Sequence, residues 1–367
     1  MSYPHRFYAV VIPGLEAIAA AELAGLSAHE IKPDHGGVHF SGTMETMFRV
    51  NLRSRTITRV LLRLKRFTAM TLSEIKAHSE QIEWAHYFSG DSSVSVHASC
   101  HKSKLMHTRK LEDEISSVIE KLGFSNKEGD SSQQVFIRIE NNRCLMSIDT
   151  SGERLDRRGY RLESGKAPVR ETLASGVLQW MKWSPEEPLV VPMCGSGTLA
   201  IEAALAATKR ASGLTHEFPF LRWPQLKQRA WKKVKDKSVS MAEEAFDDLS
   251  IYASDLHPAA ISITGNNAQR AGVDALIHIE QRDVKALANP ADARTGVIIC
   301  NPPYGDRIDA DIRGIYAALG KVFKERFDGW RMAVFSPEVA CEKALGLSVK
   351  KRLKIKHGGK WIHILDV

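Results

Sequence analysis

The chain has 367 residues, 43% hydrophobic and 26% charged, which is the composition of a globular protein with room for two or three domains. No apolar run approaches the roughly 18 residues of a membrane span, and no basic-then-apolar leader is present, so we expect no membrane association. Five scattered cysteines without CxxC spacing predict reduced thiols in the cytoplasm and no metal site, and the net charge of +8 favours a polyanionic partner.

The first 70 residues predict a small α+β unit. Strands are predicted at residues 3–12, 36–41 and 57–67, and helices at 15–26 and 43–52. This β-α-β-α-β order is typical of a ferredoxin-like domain, which we place at residues 1–70.

A second unit is predicted at residues 71–155. It contains a helix near Trp84, a strand at 93–98, a helix at 111–122 and two alternating strands at 134–140 and 144–149. A basic stretch precedes the second helix, and its cations suit contacts with RNA phosphates. A solvent-exposed start of the helix, without any RNA contact, explains the same composition equally well. The candidate residues are Lys102, Lys104, Arg109 and Lys110.

The charged stretch around Gly159 predicts a connector, because four charges between 156 and 161 make a poor core strand. We place the next domain boundary at about residue 160. Pro168 is expected to open a helix with Glu171 in its first turn.

From residue 160 onwards the sequence alternates strands and helices, which predicts a doubly wound, mostly parallel α/β sheet of seven strands. Residues 210–245 carry many cations and no clear strand, and we interpret them as an insertion. Strands are predicted at 189–191, 251–254, 276–279, 296–300, 331–335, 349–355 and 360–367, and helices at 198–208, 258–271 and 312–327.

Three of these strands end in residues suited to a bound ligand. The turn Gly195-Ser196-Gly197 opens a helix, so its backbone can approach a ligand and direct N–H groups at it. Asp255 could accept hydrogen bonds from ribose hydroxyls, and Asp283 could accept from an adenine amine. Each residue also has a structural interpretation, since Gly-Ser-Gly is common in loops and either aspartate could cap a helix.

The fourth strand ends in Asn301-Pro302-Pro303-Tyr304-Gly305. The prolines hold the backbone out of the helical region, so the Asn301 amide and the Pro302 carbonyl are fixed at the strand end. Two acceptors next to an aromatic ring suit the exocyclic amine of a nucleobase, which donates two N–H groups while Tyr304 stacks on the base. A plain proline-rich turn is the alternative.

Motifs spread over nearly the whole chain resemble one family. They are Gly36-Gly37-Val38-His39-Phe40, Arg158-Gly159-Tyr160-Arg161, Glu171-Thr172-Leu173-Ala174, Pro192-Met193-Cys194-Gly195-Ser196-Gly197-Thr198 and Asn301-Pro302-Pro303-Tyr304-Gly305. The C-terminal part resembles the class I S-adenosylmethionine-dependent methyltransferases with an Asn-Pro-Pro-Tyr motif. The whole chain resembles the bacterial RNA guanine-N2 methyltransferases with an N-terminal THUMP region, most of all the 23S rRNA group that includes the N-terminal half of RlmL.

This resemblance implies a Rossmann-like methyltransferase domain at 160–367, a THUMP domain at 71–155, S-adenosyl-L-methionine as cofactor and a guanine N2 in 23S rRNA as acceptor. The implied catalytic residues are Asn301, Pro302 and Tyr304. The implied cofactor residues are Glu171, Thr172, Cys194, Gly195, Ser196, Gly197, Thr198, Asp255, Asp283 and Asn301. Arg158 joins Lys102, Lys104, Arg109 and Lys110 as the implied RNA contacts.

Three other functions remain open from the sequence. A tRNA guanine-N2 methyltransferase shares the THUMP module, and an adenine-N6 DNA methyltransferase shares the Asn-Pro-Pro-Tyr motif. The third is an RNA-binding protein with an impaired cofactor site, because Val191 stands where the family has an acidic residue. Loss of that acid predicts weaker cofactor binding or compensation by Glu171.

Overall fold

The computed structural model describes residues 4–90, 92–126, 132–163, 168–243, 249–290, 293–303 and 311–367. Within these residues the chain forms two sheets, one in the N-terminal half and one in the C-terminal half. No helix of the described chain is long and apolar enough to cross a membrane.

The N-terminal half consists of β-strands flanked by four helices in the described chain. In chain order its elements are β1 (His5–Val11), α1 (Glu16–Gly25), β2 (His29–Asp34), β3 (Gly37–Gly42), α2 (Met44–Arg53), β4 (Ile57–Thr68), α3 (Leu72–Glu80), β5 (Ser93–His101), α4 (Thr108–Lys121), β6 (Ser125–Asn126), β7 (Gln133–Glu140) and β8 (Arg143–Asp149).

These strands form one sheet of eight described strands in the order β2-β3-β1-β4-β8-β7-β5-β6. The first four have the ferredoxin-like arrangement, and β4 pairs with β8 to join them to the second unit. The two predicted units therefore share a continuous sheet. The short strands β2 and β6 were not predicted, because β2 is mostly exposed and lacks a hydrophobic alternation.

The C-terminal half has the predicted alternation of strands and helices. Its elements are α5 (Glu171–Trp180), β9 (Leu189–Pro192), α6 (Thr198–Ala207), α7 (Gln228–Glu243), β10 (Ile251–Asp255), α8 (Pro258–Ala271), β11 (His278–Gln281), β12 (Val297–Cys300), α9 (Ile312–Arg326), β13 (Arg331–Ser336), α10 (Val339–Leu345), β14 (Lys351–His357) and β15 (Lys360–Asp366).

The C-terminal sheet has the order β11-β10-β9-β12-β13-β15-β14 among the described strands. Strands β9 to β13 are parallel, whereas β15 is antiparallel to both of its neighbours. The sheet is therefore mixed and not purely parallel. Strand order reverses between β9 and β12, and in open α/β sheets ligands bind outside the carboxyl ends of the strands at this switch point.

Alternating side chains of the parallel strands pack in two separate cores. Val191 and Ile299 face the side covered by α5, α6 and α8, while Val190 and Ile298 face the side covered by α9 and α10. Burial on both faces explains why these strands are continuous apolar runs in the sequence.

Several details differ from the sequence prediction. Trp84 lies in a three-residue 3₁₀ turn after α3 and not within that helix. Helix α5 begins at Glu171 and not at Pro168, with Arg170 in extended backbone before it. The third strand starts two residues late, because 274–276 form a 3₁₀ turn. Helix α10 was not predicted, since seven residues are too few to show a helical period.

The segment predicted as an insertion packs the two halves together. Its Phe220 and Trp231 rings lie 5.1 and 5.7 Å from the Phe48 ring on α2. The indole N–H of Trp223 donates to Gln133 on β7 at 2.7 Å. The insertion therefore contributes to the core of the N-terminal half.

Candidate active site

The glycine loop after β9 connects two neighbouring strand ends at the switch point. The backbone N–H of Cys194 donates to the Ser254 carbonyl at 3.0 Å, and that of Gly195 donates to Asp255 Oδ2 at 3.0 Å. Gly195 and Gly197 have φ angles of 59° and 78°, in the left-handed region that favours glycine. The loop is thereby held at the carboxyl ends of β9 and β10.

The two glycines of this loop face different surroundings. A methyl group added to Gly195 would meet no atom within 4 Å among the described residues, so this side of the loop is open. One added to Gly197 would lie 2.6 Å from the Thr264 side chain on α8. Gly195 therefore leaves room for a ligand, and Gly197 allows α8 to pack closely against the loop.

Asp255 is almost fully buried and accepts two backbone hydrogen bonds. Its Oδ2 accepts from Gly195, and its Oδ1 accepts from the N–H of His257 at 3.0 Å, just before α8. Each carboxylate oxygen keeps a lone pair that a ribose hydroxyl could use. Of the two interpretations from the sequence, the helix cap is not observed, because His257 is the N-cap residue of α8 and Asp255 instead holds the glycine loop. The role as a ligand acceptor is compatible with this geometry.

Asp283 lies two residues beyond β11 and caps a short 3₁₀ turn. Its Oδ1 accepts a hydrogen bond from the N–H of Lys285 at 2.9 Å, and its side chain is half-buried. Capping uses one carboxylate oxygen, so the other is available to an adenine amine.

Asn301 follows β12, which pairs with β9 across the switch point. Its side-chain Oδ1 is buried and has no hydrogen-bond partner among the described residues. An unsatisfied buried acceptor costs about 1–3 kcal/mol, so the site favours a ligand donor. Pro302 is buried beside it. Tyr304, the third candidate catalytic residue, and Gly305 lie outside the described residues.

Glu171 and Thr172 form the first turn of α5. Burial raises the pKa of the Glu171 carboxyl to about 7, although Arg161 forms an ion pair with it at 3.0 Å. The Thr172 hydroxyl is fully buried with no partner among the described residues. The residue whose identity departs from the family, Val191, lies in the apolar core with α5 and α6.

The remaining loop side chains are compact and uncharged. Ser196 and Thr198 are buried, and their hydroxyls lie 3.3 Å apart. Burial raises the pKa of the Cys194 thiol to about 12 and that of Cys300 well above its ordinary value. Neither thiol is a nucleophile at neutral pH. Within the described ranges no three His, Cys, Asp or Glu side chains are grouped to hold a metal.

The basic cluster of Lys102, Lys104, Arg109 and Lys110 is exposed, as a phosphate contact requires. The N–H of Lys104 donates to Asn142 Oδ1 at 2.7 Å, which places the cluster beside the turn between β7 and β8. That turn adjoins Thr68 at the end of β4. The extended strand between Thr68 and Arg59, near the start of β4, is about 30 Å long. The cluster is therefore remote from the start of β4.

Arg158 does not belong to this RNA-contacting set, and the sequence interpretation is wrong here. The side chain is only 3% exposed, and its guanidinium donates to the carbonyls of Leu155 and Arg55. It also lies 3.6 Å from the Glu202 carboxylate. A cation in the interior cannot reach a phosphate backbone.

The sequence interpretation missed two residues that position the glycine loop. The Thr264 hydroxyl donates to the Gly195 carbonyl at 3.0 Å, and the Asn267 amide donates to the Ser196 carbonyl at 3.1 Å. Both are fully buried on α8. Polar residues three positions apart on the core-facing side of a helix were the available signal.

Three family descriptions match consecutive parts of the chain. They are the RlmL ferredoxin-like domain at residues 6–61, the THUMP domain at 69–149, and the RMKL-like methyltransferase domain, UPF0020, at 158–362.

Similar proteins cover almost the full length. A Synechocystis protein named "Putative RNA methyltransferase slr0064" is 34% identical over 96% of this chain and 94% of its own. The crystal structure of SMU.472, described as "a putative methyltransferase complexed with SAH", is 25% identical with a TM-score of 0.90 over 100% of this chain and 98% of that chain. A Listeria monocytogenes structure named a "predicted N6-adenine-specific DNA methylase" is 27% identical with a TM-score of 0.88, over 99% and 95%.

The resemblance drawn from the sequence is thus confirmed for all three domains. The glycine loop, Asp255 and Asn301 converge on the switch point of the domain that matches the methyltransferase description. The chain belongs to the RMKL-like methyltransferase family, with an N-terminal RlmL ferredoxin-like domain followed by a THUMP domain.

Proposed function

We propose that this RNA methyltransferase of the RlmL type transfers a methyl group to the exocyclic N2 of a guanine in 23S rRNA. The observation that carries the proposal is the buried Asn301 Oδ1, an acceptor without a partner in the described chain, at the carboxyl end of β12. An amino group can satisfy it with one N–H and offer its second N–H to the neighbouring Pro302 carbonyl. The division of the chain at 1–70, 71–155 and 160–367 is part of this proposal, and the matched family ranges support it.

The cofactor is S-adenosyl-L-methionine, in keeping with the family and with the SAH complex of SMU.472. When bound, it supplies an electrophilic methyl group on a sulfonium. The open side of Gly195 leaves room for the cofactor next to the loop backbone. The spare lone pairs of Asp255 fit its ribose hydroxyls, and the unpaired Thr172 hydroxyl fits its amino-acid group. The other residues proposed to hold it are Glu171, Cys194, Ser196, Gly197, Thr198, Asp283 and Asn301.

The chain's own residues act on the acceptor by orienting it. The Asn301 Oδ1 and the Pro302 carbonyl accept the two N–H groups of the amine, and Tyr304 stacks on the base. Since the guanine must leave its stack to reach this site, the protein binds it as a flipped base. Holding the amine in a reactive geometry lowers the barrier without a strong general base.

RNA binding away from the site is assigned to Lys102, Lys104, Arg109 and Lys110. They are exposed within the range that matches the THUMP description.

A second candidate is an adenine-N6 DNA methyltransferase, which the name of the Listeria structure favours. Adenine also presents an exocyclic amine with two N–H groups, so Asn301 alone does not separate the two bases. The THUMP match favours RNA as substrate. Nucleosides from rRNA, tRNA and DNA of a deletion strain separate the candidates: loss of N2-methylguanosine from 23S rRNA supports the proposal, and loss from tRNA or of N6-methyladenine from DNA overturns it.

The role of Asn301 is tested by Asn301→Ala. We expect at least an approximately 100-fold loss of single-turnover methyl transfer to rRNA from the deletion strain, because the amine is no longer positioned. Asn301 is one of ten residues proposed to hold S-adenosyl-L-methionine, so binding of the cofactor, measured by calorimetry, should stay within a few-fold. Asn266→Ala, at an exposed asparagine on α8, is the control and should keep wild-type transfer. Full turnover by Asn301→Ala would refute the assignment.

A further inference from the structure

A cleft of about 410 Å³ lies between the N-terminal sheet and the β14–β15 hairpin. Two of its lining residues bond to each other, since the N–H of Lys356 donates to the Pro13 carbonyl at 3.0 Å. The residues that line it include Thr58, Arg59, Arg154, Arg170, Lys356 and Gly359.

The charged side chains that line the cleft are all cationic. Arg59 bonds to Asp149 and Arg154 to Asp156, so these two guanidinium groups are held in place with their charge largely balanced. Arg170 and Lys356 are exposed, and neither side chain has a hydrogen-bond or ion-pair partner within the described chain. Their two charges are available to an anion.

The cleft opens on the same edge of the sheet as the active site. Both β13 and β14 are antiparallel to β15, so the end of β14 at His357 points the same way as the end of β13. Three strand spacings separate β14 from β12, or about 14 Å. Arg170 directly precedes Glu171, the first residue of α5.

The hairpin turn at the mouth of the cleft leaves space for a ligand. Gly358 and Gly359 have φ angles of 57° and 82°, and a methyl group added to either would meet nothing within 4 Å in the described chain. Glycine is favoured here by the left-handed backbone, and the lack of side chains lets a phosphate approach the backbone.

We propose that this cleft binds the phosphodiester backbone of the RNA next to the flipped nucleotide, through Arg170 and Lys356. The inference rests on the proposed function, because it takes the substrate to be RNA. A base that leaves its stack needs its flanking phosphates held close to the site, and the cleft offers unpaired cations near the end of β14, a strand that lies about 14 Å to the side of β12, which Asn301 follows. An acidic protein surface is a poorer fit, since a stable protein contact needs roughly 800 Å² on each partner and this is a small concave site.

The test measures binding without cofactor, so that it does not depend on activity. A fluorescein-labelled RNA hairpin with one loop guanine is titrated at several salt concentrations against the wild type, Arg170→Gln/Lys356→Gln, and Lys351→Gln. Lys351 is an exposed lysine at the opposite end of β14, and its substitution controls for lost charge. Calorimetry with S-adenosyl-L-methionine checks that the double variant keeps a folded cofactor site.

We expect the double variant to bind the hairpin roughly tenfold more weakly than Lys351→Gln, with a salt slope lower by about 1.4, because two single-strand phosphate contacts are lost. Equal affinity and slope for the two variants would overturn the inference, whether or not the wild type methylates RNA. Tripolyphosphate serves as a competitor: if it binds the wild type but not the double variant while hairpin affinity is unchanged, the cleft takes a free polyphosphate and the RNA assignment is wrong. Failure of guanine methylation with the expected binding loss would instead count against the proposed reaction.

Discussion

Two carboxyl groups near the carboxyl edge of the sheet differ in how the protein holds them. Asp255 accepts backbone N–H groups on both oxygens, whereas Glu171 is buried beside Arg161 and has a pKa raised to about 7. A buried carboxyl with a raised pKa binds a proton more tightly in the folded state than in the unfolded state. Its protonation is therefore linked to stability.

The pH dependence of stability tests the state of Glu171. The pKa is about 7 in the folded protein against the ordinary glutamate value of 4.5, so the folded state holds the extra proton between these values. The stabilisation that the bound proton of Glu171 gives the folded state is thus fully present below pH 4.5 and is lost as the pH rises through 7. Between pH 5 and pH 7 the free energy of unfolding of the wild type, measured with urea, should fall by about 2 kcal/mol relative to that of Glu171→Gln.

Glu186→Gln, at an exposed position, is the control and should track the wild type across this range. A constant difference between Glu171→Gln and the wild type from pH 5 to 7 would show that Glu171 is ionised throughout.

At the scale of elements, the packing of α8 against the start of α6 decides the shape of the glycine loop. Gly197 precedes α6 in a left-handed conformation, and Thr264 on α8 contacts it. Gly195 has the same kind of backbone but faces open space. Two glycines in one motif therefore serve different purposes.

Gly197→Ala should destabilise the protein by about 2–4 kcal/mol, because it combines a left-handed alanine with an overpacked contact. Gly195→Ala has only the backbone term and should cost about 1–2 kcal/mol. Urea denaturation measures both. Adding Thr264→Ser to Gly197→Ala removes the methyl group at 2.6 Å and should restore part of the loss. Equal costs for the two glycines, with no recovery from Thr264→Ser, would refute this explanation.

At the scale of the whole molecule, a buried charge network joins the two halves. Arg55, between α2 and β4, donates to the carbonyls of Leu205 and Arg210 at 2.6 and 2.5 Å near the end of α6. The fully buried Glu202 carboxylate accepts from Ser175 and Tyr160 at 2.6 and 3.1 Å and lies 3.9 Å from Arg55. This network links the N-terminal module to the methyltransferase domain.

Glu202→Ala should lower the free energy of unfolding by about 3–5 kcal/mol, because it leaves the buried Arg55 and Arg158 without their counter-charge. Thermal unfolding followed by calorimetry provides the measurement. Glu325→Ala, which breaks an exposed pair with Lys321, should change stability by less than about 1 kcal/mol. A Glu202→Ala variant as stable as Glu325→Ala would show that the network does not hold the halves together.

Local patterns in the sequence were sufficient for most of the helices and strands and for the motifs at the strand ends. The apolar runs of β9, β10 and β12 predict buried strands because both sheet faces are covered, and Asn301 follows such a strand directly. Parallel strand ends meet at one edge, so the convergence of Gly195, Asp255 and Asn301 could be inferred before the fold was known.

Contacts between distant residues were decided only by the tertiary structure. A motif shows that Arg158 is charged but not whether its side chain is buried. In the structure it lies against Glu202, 44 positions away, and therefore not on the RNA-contacting surface. The sharing of one sheet by the first two units depends on the pairing of β4 with β8. The cationic cleft brings Arg59, Arg170 and Lys356 together from three distant segments. Long-range packing sets such positions, and a local sequence pattern carries no record of it.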